Sequence, residues 1–488
     1  MRTHDEHFER ISDLKAFERR LLKLVLDRPG VLSRPEEALF RYATNLAKSQ
    51  YLRSPEGEDI AVDEEVESLR RWMSDSLTPL IPDEGAPDVS TLQELAPVLA
   101  LRLDRTRETL LDHHDDALGP QHLDRQMRRK RLVLVLGGGG GAGLLHLGTF
   151  ALLEELGITP EFIVGSSMGS IMGVLRALDR SYDPFTTALA LPRDLDYGDL
   201  FRPFTGYSRY GFPGAFHLNL LRIGREIFEH LFDTPDVRFN DLPIPLEIVT
   251  TGILKGYQID TEEYEEAAAE TEEATPLALR DKLKLFFSAL RQLSRNPRFL
   301  KEIVLGRGEL TSNFPVVEAV GFSCAVPGLL HFDVFHDDPA TIDPLESIFQ
   351  RNDLLRLCDG GVVNNVPSNV AWESVQEGKI GTRNTFIAAF DVFAPVARSR
   401  NVIWLPIQQM VRPTVVSNRP YSDFHKTFKS PPSPLQVLVN SYSQIKSMVQ
   451  AARSELEDDI PFLERALEEL PPYGIWEIGS LPEGSPNS

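Results

Sequence analysis

The sequence predicts an α/β fold: a mostly parallel sheet flanked by helices, with an N-terminal helical extension ahead of it. Three observations lead there. Apolar residues recur at helical spacing through roughly the first 125 positions. From Arg131 the chain reads RLVLVLGGGGGAGLLHLGTF, a strand, a glycine loop and a helix, and a second strand follows at Glu161–Val164. Further short apolar runs, Leu246–Thr250, Leu354–Cys358 and Thr385–Val392, alternate with helical stretches, as parallel strands joined by crossovers do.

The N-terminal helices come first. Ile11, Leu14, Phe17, Leu21, Leu22 and Val25 lie on one helical face, Pro29-Gly30 ends that helix, and Pro35 opens the next. Helical patterns over 63–78 and 91–112 are separated by Pro79, Pro82 and Pro87. In the β-α-β unit the helix runs over about 143–156, with Gly157 at its C-terminal cap and Pro160 beyond. The segment TEEYEEAAAETEEA, Thr261–Ala274, is half glutamate and reads as a solvated helix or loop. An amphipathic helix through Leu279, Leu283, Phe286, Phe287 and Leu290 fits core packing or a lid meeting lipid. Past Asn401 the chain is proline-rich, then helical near 435–457 and 461–470, and LPEGSPNS ends it as a disordered tail. The division is thus a helical extension (1–125), a central α/β domain (126–400) and a helical C-terminal extension (401–488).

Composition narrows the function. A net charge of -21 excludes the basic footprint of a nucleic-acid binder and gives weak attraction to anionic membranes. Cys324 and Cys358 sit in no CxxC or metal-ligand spacing, so neither a disulfide framework nor a metal is expected, and reduced cytoplasmic thiols are the default. MRTHDEHFER lacks the apolar core of a secretory signal, and no apolar run reaches the length of a spanning helix. No motif sets the oligomeric state or calls for a cofactor.

The glycine loop admits three readings. Gly138, Gly140 and Gly143 satisfy the dinucleotide pattern G-x-G-x-x-G between strand and helix, but the second strand runs into Gly165-Ser166 where a ribose-binding carboxylate should stand. A P-loop needs Lys after its last glycine, and Gly143 is followed by Leu144. The third reading comes from Gly165-Ser166-Ser167-Met168-Gly169, a G-x-S-x-G between strand and helix, the form of a nucleophile elbow. In a parallel sheet this elbow and the glycine loop share the carboxyl edge, so the loop's amides can face an oxyanion formed at Ser167. The competing reading of the elbow alone is a small-residue turn under a helix.

Ser167 needs a base. Asp359, at the end of LLRLC and before Gly360-Gly361, is the acid candidate. A triad would rest on His425, the one histidine beyond it, in RPYSDFHKTFKS, which reads as a polar, proline-flanked surface loop. The alternative is a dyad in which Asp359 itself accepts the proton.

Five stretches, in order, resemble the patatin-like phospholipase family. They are Gly138–Gly143 with His146 and Gly148, the elbow at Ser167, FNDLPIPLEIVTTGILKG (Phe239–Gly256), GFSCAVPGLL (Gly321–Leu330) and DGGVVNNVP (Asp359–Pro367). The resemblance spans about residues 130–375. It implies a lipid acyl hydrolase with Ser167 as nucleophile, Asp359 as base, and Gly138, Gly139 and Gly140 as oxyanion hole. Gly165, Gly169, Gly360 and Gly361 would support the motifs, with no metal and no cofactor. The substrate would be a lipid (phospholipid, lysophospholipid or glyceride), with peripheral contact at a membrane or lipid droplet. His146 reads as a packed structural residue. Ala142 departs from the family, which usually has Arg or Lys there, and this weakens the case for a phosphate head group. The RQMRRKR cluster, Arg125–Arg131, reads as a solvated flank of the first strand, the alternative being contact with lipid phosphates. The rival from another class is a noncatalytic protein using the fold as a lipid- or partner-binding platform; nucleotide binding is the third.

Overall fold

A computed structural model of the chain describes residues 2–183, 196–204, 208–232, 234–256, 288–293, 295–395, 405–434, 436 and 442–474. The chain divides into two compact units. One takes in Met1–Leu132, Glu373–Phe386 and Asp458–Ser488, the other Val133–Trp372 and Ile387–Glu457. The C-terminal residues are therefore split: helix Ile460–Leu467 goes with the N-terminal helices, while Leu405–Asn418 and Tyr442–Leu456 go with the sheet.

The first unit is built from α1 (Arg2–Asp27), α2 (Arg34–Ala47), α3 (Asp63–Ser76), α4 (Val89–His113) and α5 (Pro120–Arg128). A short antiparallel ladder, β1 (Tyr51–Arg53) with β2 (Asp59–Ala61), joins α2 to α3. The start of α2 follows from its sequence. Ser33 Oγ accepts from the Glu36 amide, the Glu36 carboxylate accepts from the Ser33 amide, and Pro35 sits in the first turn where no N–H is needed. Leu14, Phe17, Leu21, Phe40 and Leu99 share one apolar core. The basic stretch before the first sheet strand is not simply solvated. Lys130 is buried, and its Nζ and that of Lys48 each lie 2.6 Å from Glu18 Oε2. A lysine beside the first sheet strand is thus committed to a buried ion pair, since an unpaired charge there would be costly.

The described strands of the second unit are β3 (Arg131–Leu136), β4 (Phe162–Ser166), β5 (Phe201–Pro203), β6 (Gly214–Leu218), β7 (Leu246–Leu254), β8 (Leu300–Leu305), β9 (Gly328–His331), β10 (Leu354–Asp359), β11 (Thr385–Asp391) and β12 (Phe424–Thr427). Seven form the central sheet, and β5, β6 and β9 form a smaller one beside it. The pairs β3–β4, β4–β7 and β11–β12 are parallel. Strands β4 and β11 are buried along their whole length, which is why they read as unbroken apolar runs rather than alternating ones.

Two antiparallel neighbours of β7 set up the site. β8 pairs with Ile248–Ile253, overlapping both the part of β7 that pairs with β4 and the part that pairs with β10. A strand has two hydrogen-bonding edges, so β4 and β10 must share the edge opposite β8. They run toward one another along it: Ser166 ends β4 opposite Val249, and Asp359 ends β10 opposite Thr250. The residue after β4 and the last residue of β10 therefore meet head-on.

The helix expected from about 143 begins as a 3-10 segment, Gly140–Leu145, and becomes α6 (His146–Glu155). Gly157 caps it with φ +66°, its amide bonded to Glu154 O at 3.0 Å. One expectation is corrected. His425 is not on a surface loop but on β12, half-buried, opposite Ala389 of β11. The acidic segment 261–274, residues Leu279, Leu283, Phe286 and Phe287, and the final LPEGSPNS lie outside the described residues; Leu290 lies within a described helical turn and is buried. No described helix is long and apolar enough to cross a membrane.

Candidate active site

Ser167 occupies the turn between β4 and α7 (Met168–Ala177) with φ +51° and ψ -129°. A side-chain-bearing residue rarely adopts positive φ, and the strain persists only where the surroundings impose it. Here they do. A Cβ on Gly169 would lie 2.0 Å from Leu136 O, and one on Gly165 would lie 2.6 Å from Gly169 O, so only bare backbone fits between β3 and the elbow. The Ser167 amide donates to Ser323 Oγ at 2.8 Å, and Ser323 Oγ donates to Val249 O at 2.7 Å, tying the turn to β7. Gly169→Ala is expected to destabilise the fold by about 3 kcal/mol or more, because backbone rather than a mobile side chain must move; urea unfolding measures it, and a loss below about 1 kcal/mol contradicts this packing.

Asp359 reaches Ser167 from β10. Ser167 Oγ donates to Asp359 Oδ2 at 2.7 Å, and the Gly361 amide donates to Asp359 Oδ1 at 2.7 Å. The carboxyl is 5% exposed. Burial pushes its pKa up from 3.8 to about 6, against the opposing pull of those two hydrogen bonds. Gly360 is required because a Cβ there would lie 2.1 Å from Val249 O.

The glycine loop faces this pair. Gly138 is clasped by Asn365: its amide donates to Asn365 O, and Asn365 Nδ2 donates back to Gly138 O, each at 3.3 Å. A Cβ on Gly138 would come within 2.7 Å of Ser167 Cβ. The Gly141 amide donates to Pro434 O at 2.8 Å. Between them, the amides of Gly139 and Gly140 bond to no described residue, and both glycines line one cavity with Ser167 and Asp359. His146 sits behind the loop, fully buried, its Nε2 donating to Gly137 O at 3.0 Å. Burial lowers its pKa to about 4, so it is neutral and acts as a strut.

His425 is not part of this cluster. β12 stands three strand spacings from β4, about 14 Å, and neither of its ring nitrogens bonds to any described residue. Two residues that sequence reasoning did not single out do contribute. Asn365 is the second of the two asparagines in the DGGVVNNVP stretch, and Ser323 lies in GFSCAVPGLL; both stretches are visible in the sequence, but nothing local says what either side chain holds. Ala142 is 1% exposed, a buried methyl where the resemblance expects a charge. No described cluster of three or more His, Cys, Asp or Glu could hold a metal. Ser167 and Gly140 lie where two apolar cavities meet, one of about 680 Å³ and one of about 240 Å³.

The sheet order, the strained serine elbow and the apolar cavities beside it define an α/β fold with a nucleophile-elbow geometry. Residues 134–372 match the family model described as patatin-like phospholipase. Lipid acyl hydrolysis comes with the family as its general activity. No curated protein matches the chain.

Proposed function

We propose that the chain hydrolyses fatty acyl esters of lipids through a Ser167–Asp359 dyad and an acyl-enzyme. The hydrogen bond from Ser167 Oγ to Asp359 Oδ2 carries this reading. Asp359 takes the Ser167 proton as Oγ attacks the ester carbonyl, then hands it to the departing alcohol as the ester C–O bond breaks. A water molecule, deprotonated by the same carboxylate, attacks the acyl-enzyme carbonyl; as the acyl–Oγ bond breaks, Asp359 returns that proton to Ser167 Oγ and the fatty acid is released. Because Asp359 sits with its pKa near 6, it is ionised at neutral pH yet basic enough to accept a proton.

The oxyanion is held by the amides of Gly139 and Gly140, which have no described partner. Gly138 serves differently, by letting the loop lie against the elbow, since its own amide is engaged with Asn365. No step calls for a metal or cofactor. Tyr197, half-exposed at the rim of the larger cavity, suits peripheral contact with a membrane or droplet surface.

Fluorophosphonate labelling with parallel ester assays tests the dyad. Wild type and His425→Ala are expected to label and turn over alike. Turnover abolished in a folded His425→Ala protein would replace the dyad with a triad.

A further inference from the structure

The two cavities at Ser167 differ in which catalytic group they reach. The larger contains Asp359, Gly361 and Asn365; the smaller contains none of them and runs between α7, helix Leu220–Phe232 and helix Val316–Ser323, past Met172, Ile227 and Val320. Ser167 and Gly140 line both. The chemistry treats the two halves of an ester unequally. The alcohol half must leave from the side where Asp359 can give it a proton, and the hydrolytic water must enter by that same side. The acyl half stays bonded to Ser167 and must not block Asp359.

We infer that the cavities divide the substrate accordingly, an inference that rests on the acyl-hydrolase reading. The acyl chain carried on Ser167 lies in the 240 Å³ cavity, and the alcohol half, itself bearing hydrocarbon, lies in the 680 Å³ cavity against Ile407, Met410 and Val411. Those three belong to helix Leu405–Asn418, beyond the residues that match the family model. The helix is fastened to the loop that follows Asp359: Asn418 Nδ2 donates to Asn364 Oδ1 at 2.9 Å, and Asn364 Nδ2 donates to Glu302 Oε2 at 2.6 Å. The part of the alcohol-side wall that this helix forms thus lies outside the matched residues and is fixed in register with the catalytic loop. No Lys or Arg is among the described residues lining either cavity, so the wall favours hydrocarbon over an anionic head group. The substrate class is an ester with hydrocarbon on both sides of its carbonyl.

Two substrate pairs separate the halves. p-Nitrophenyl butyrate and palmitate differ only in the acyl chain; ethyl laurate and dodecyl laurate, in detergent micelles, differ only in the alcohol. Val320→Phe is expected to lower the palmitate-to-butyrate ratio of kcat/KM by about tenfold or more and to leave the laurate ratio in place. Met410→Trp is expected to lower the dodecyl-to-ethyl ratio by about tenfold and to leave the acyl ratio in place. Fluorophosphonate labelling of Ser167 reports an intact site in each variant, and Ile171→Phe, lining the same cavity from α7, replaces Val320→Phe if that protein does not label. Effects exchanged between the two variants, or ratios that neither moves, overturn the division. A folded wild type that turns over none of the four esters overturns the hydrolase reading, and this inference with it.

Discussion

Replacement of Ser167 by alanine is expected to lower ester turnover by about 10⁴-fold or more and to abolish fluorophosphonate labelling. The large effect follows from what the hydroxyl does. Its Oγ is the atom bonded to Asp359, and no other hydroxyl touches that carboxylate among the described residues. The same substitution should leave the fold intact. The contact that fixes the elbow runs from the backbone amide of Ser167 to Ser323 Oγ, and alanine keeps that amide. Alanine also keeps the Cβ, so the positive φ is no more and no less strained than before. A thermal melt within a few degrees of wild type, beside lost turnover, separates chemistry from folding. Turnover that survives in Ser167→Ala places the nucleophile elsewhere and removes the dyad.

The parts of this site legible in the sequence are those whose geometry is local. Five glycines after an apolar run mark the loop, and G-x-S-x-G marks the elbow, because each turn is decided by a few consecutive residues. Asp359 was legible through the glycines beside it. What was not legible depends on strands meeting across long separations. That β10 runs against β4 along one edge of β7 brings Asp359 to Ser167 over 192 positions, and no local pattern gives the direction of a strand. The clasp between Asn365 and Gly138 spans 227 positions, and it decides which glycine amides remain open. His425 was misread for a related reason. β12 is four residues long and half-buried throughout, so FHKT carries neither an apolar run nor a clean alternation. Strand β8, LKEIVL, hides likewise, since it is an edge strand with its Lys301 exposed.

Asp359→Asn is expected to slow turnover by about 10³- to 10⁴-fold while making the protein more stable at pH 8. Both effects come from one buried charge. In the fold the carboxyl's pKa is about 6, against 3.8 for an ordinary aspartate. Across that interval the folded protein holds a proton that the unfolded chain has released, so stability falls as pH rises from about 4 to about 6. Above pH 6 the ionised carboxylate costs the fold about 3 kcal/mol. Asparagine is close to isosteric. Its Oδ1 can still accept from Gly361, and its Nδ2 can donate to Ser167 Oγ, so the hydrogen bonds persist without the charge. The variant's melting temperature should therefore exceed wild type at pH 8, with the gap closing toward pH 4. Wild-type kcat/KM should rise with pH through about 6 as Asp359 ionises, and the variant's residual rate should lack that step. A stability gain without a rate loss would mean that the buried charge is not the base; a rate loss without a stability gain would mean that Asp359 is not desolvated as its burial requires. The two measurements together test whether the fold gives up stability at Asp359 to keep a carboxylate basic enough to take a proton from serine.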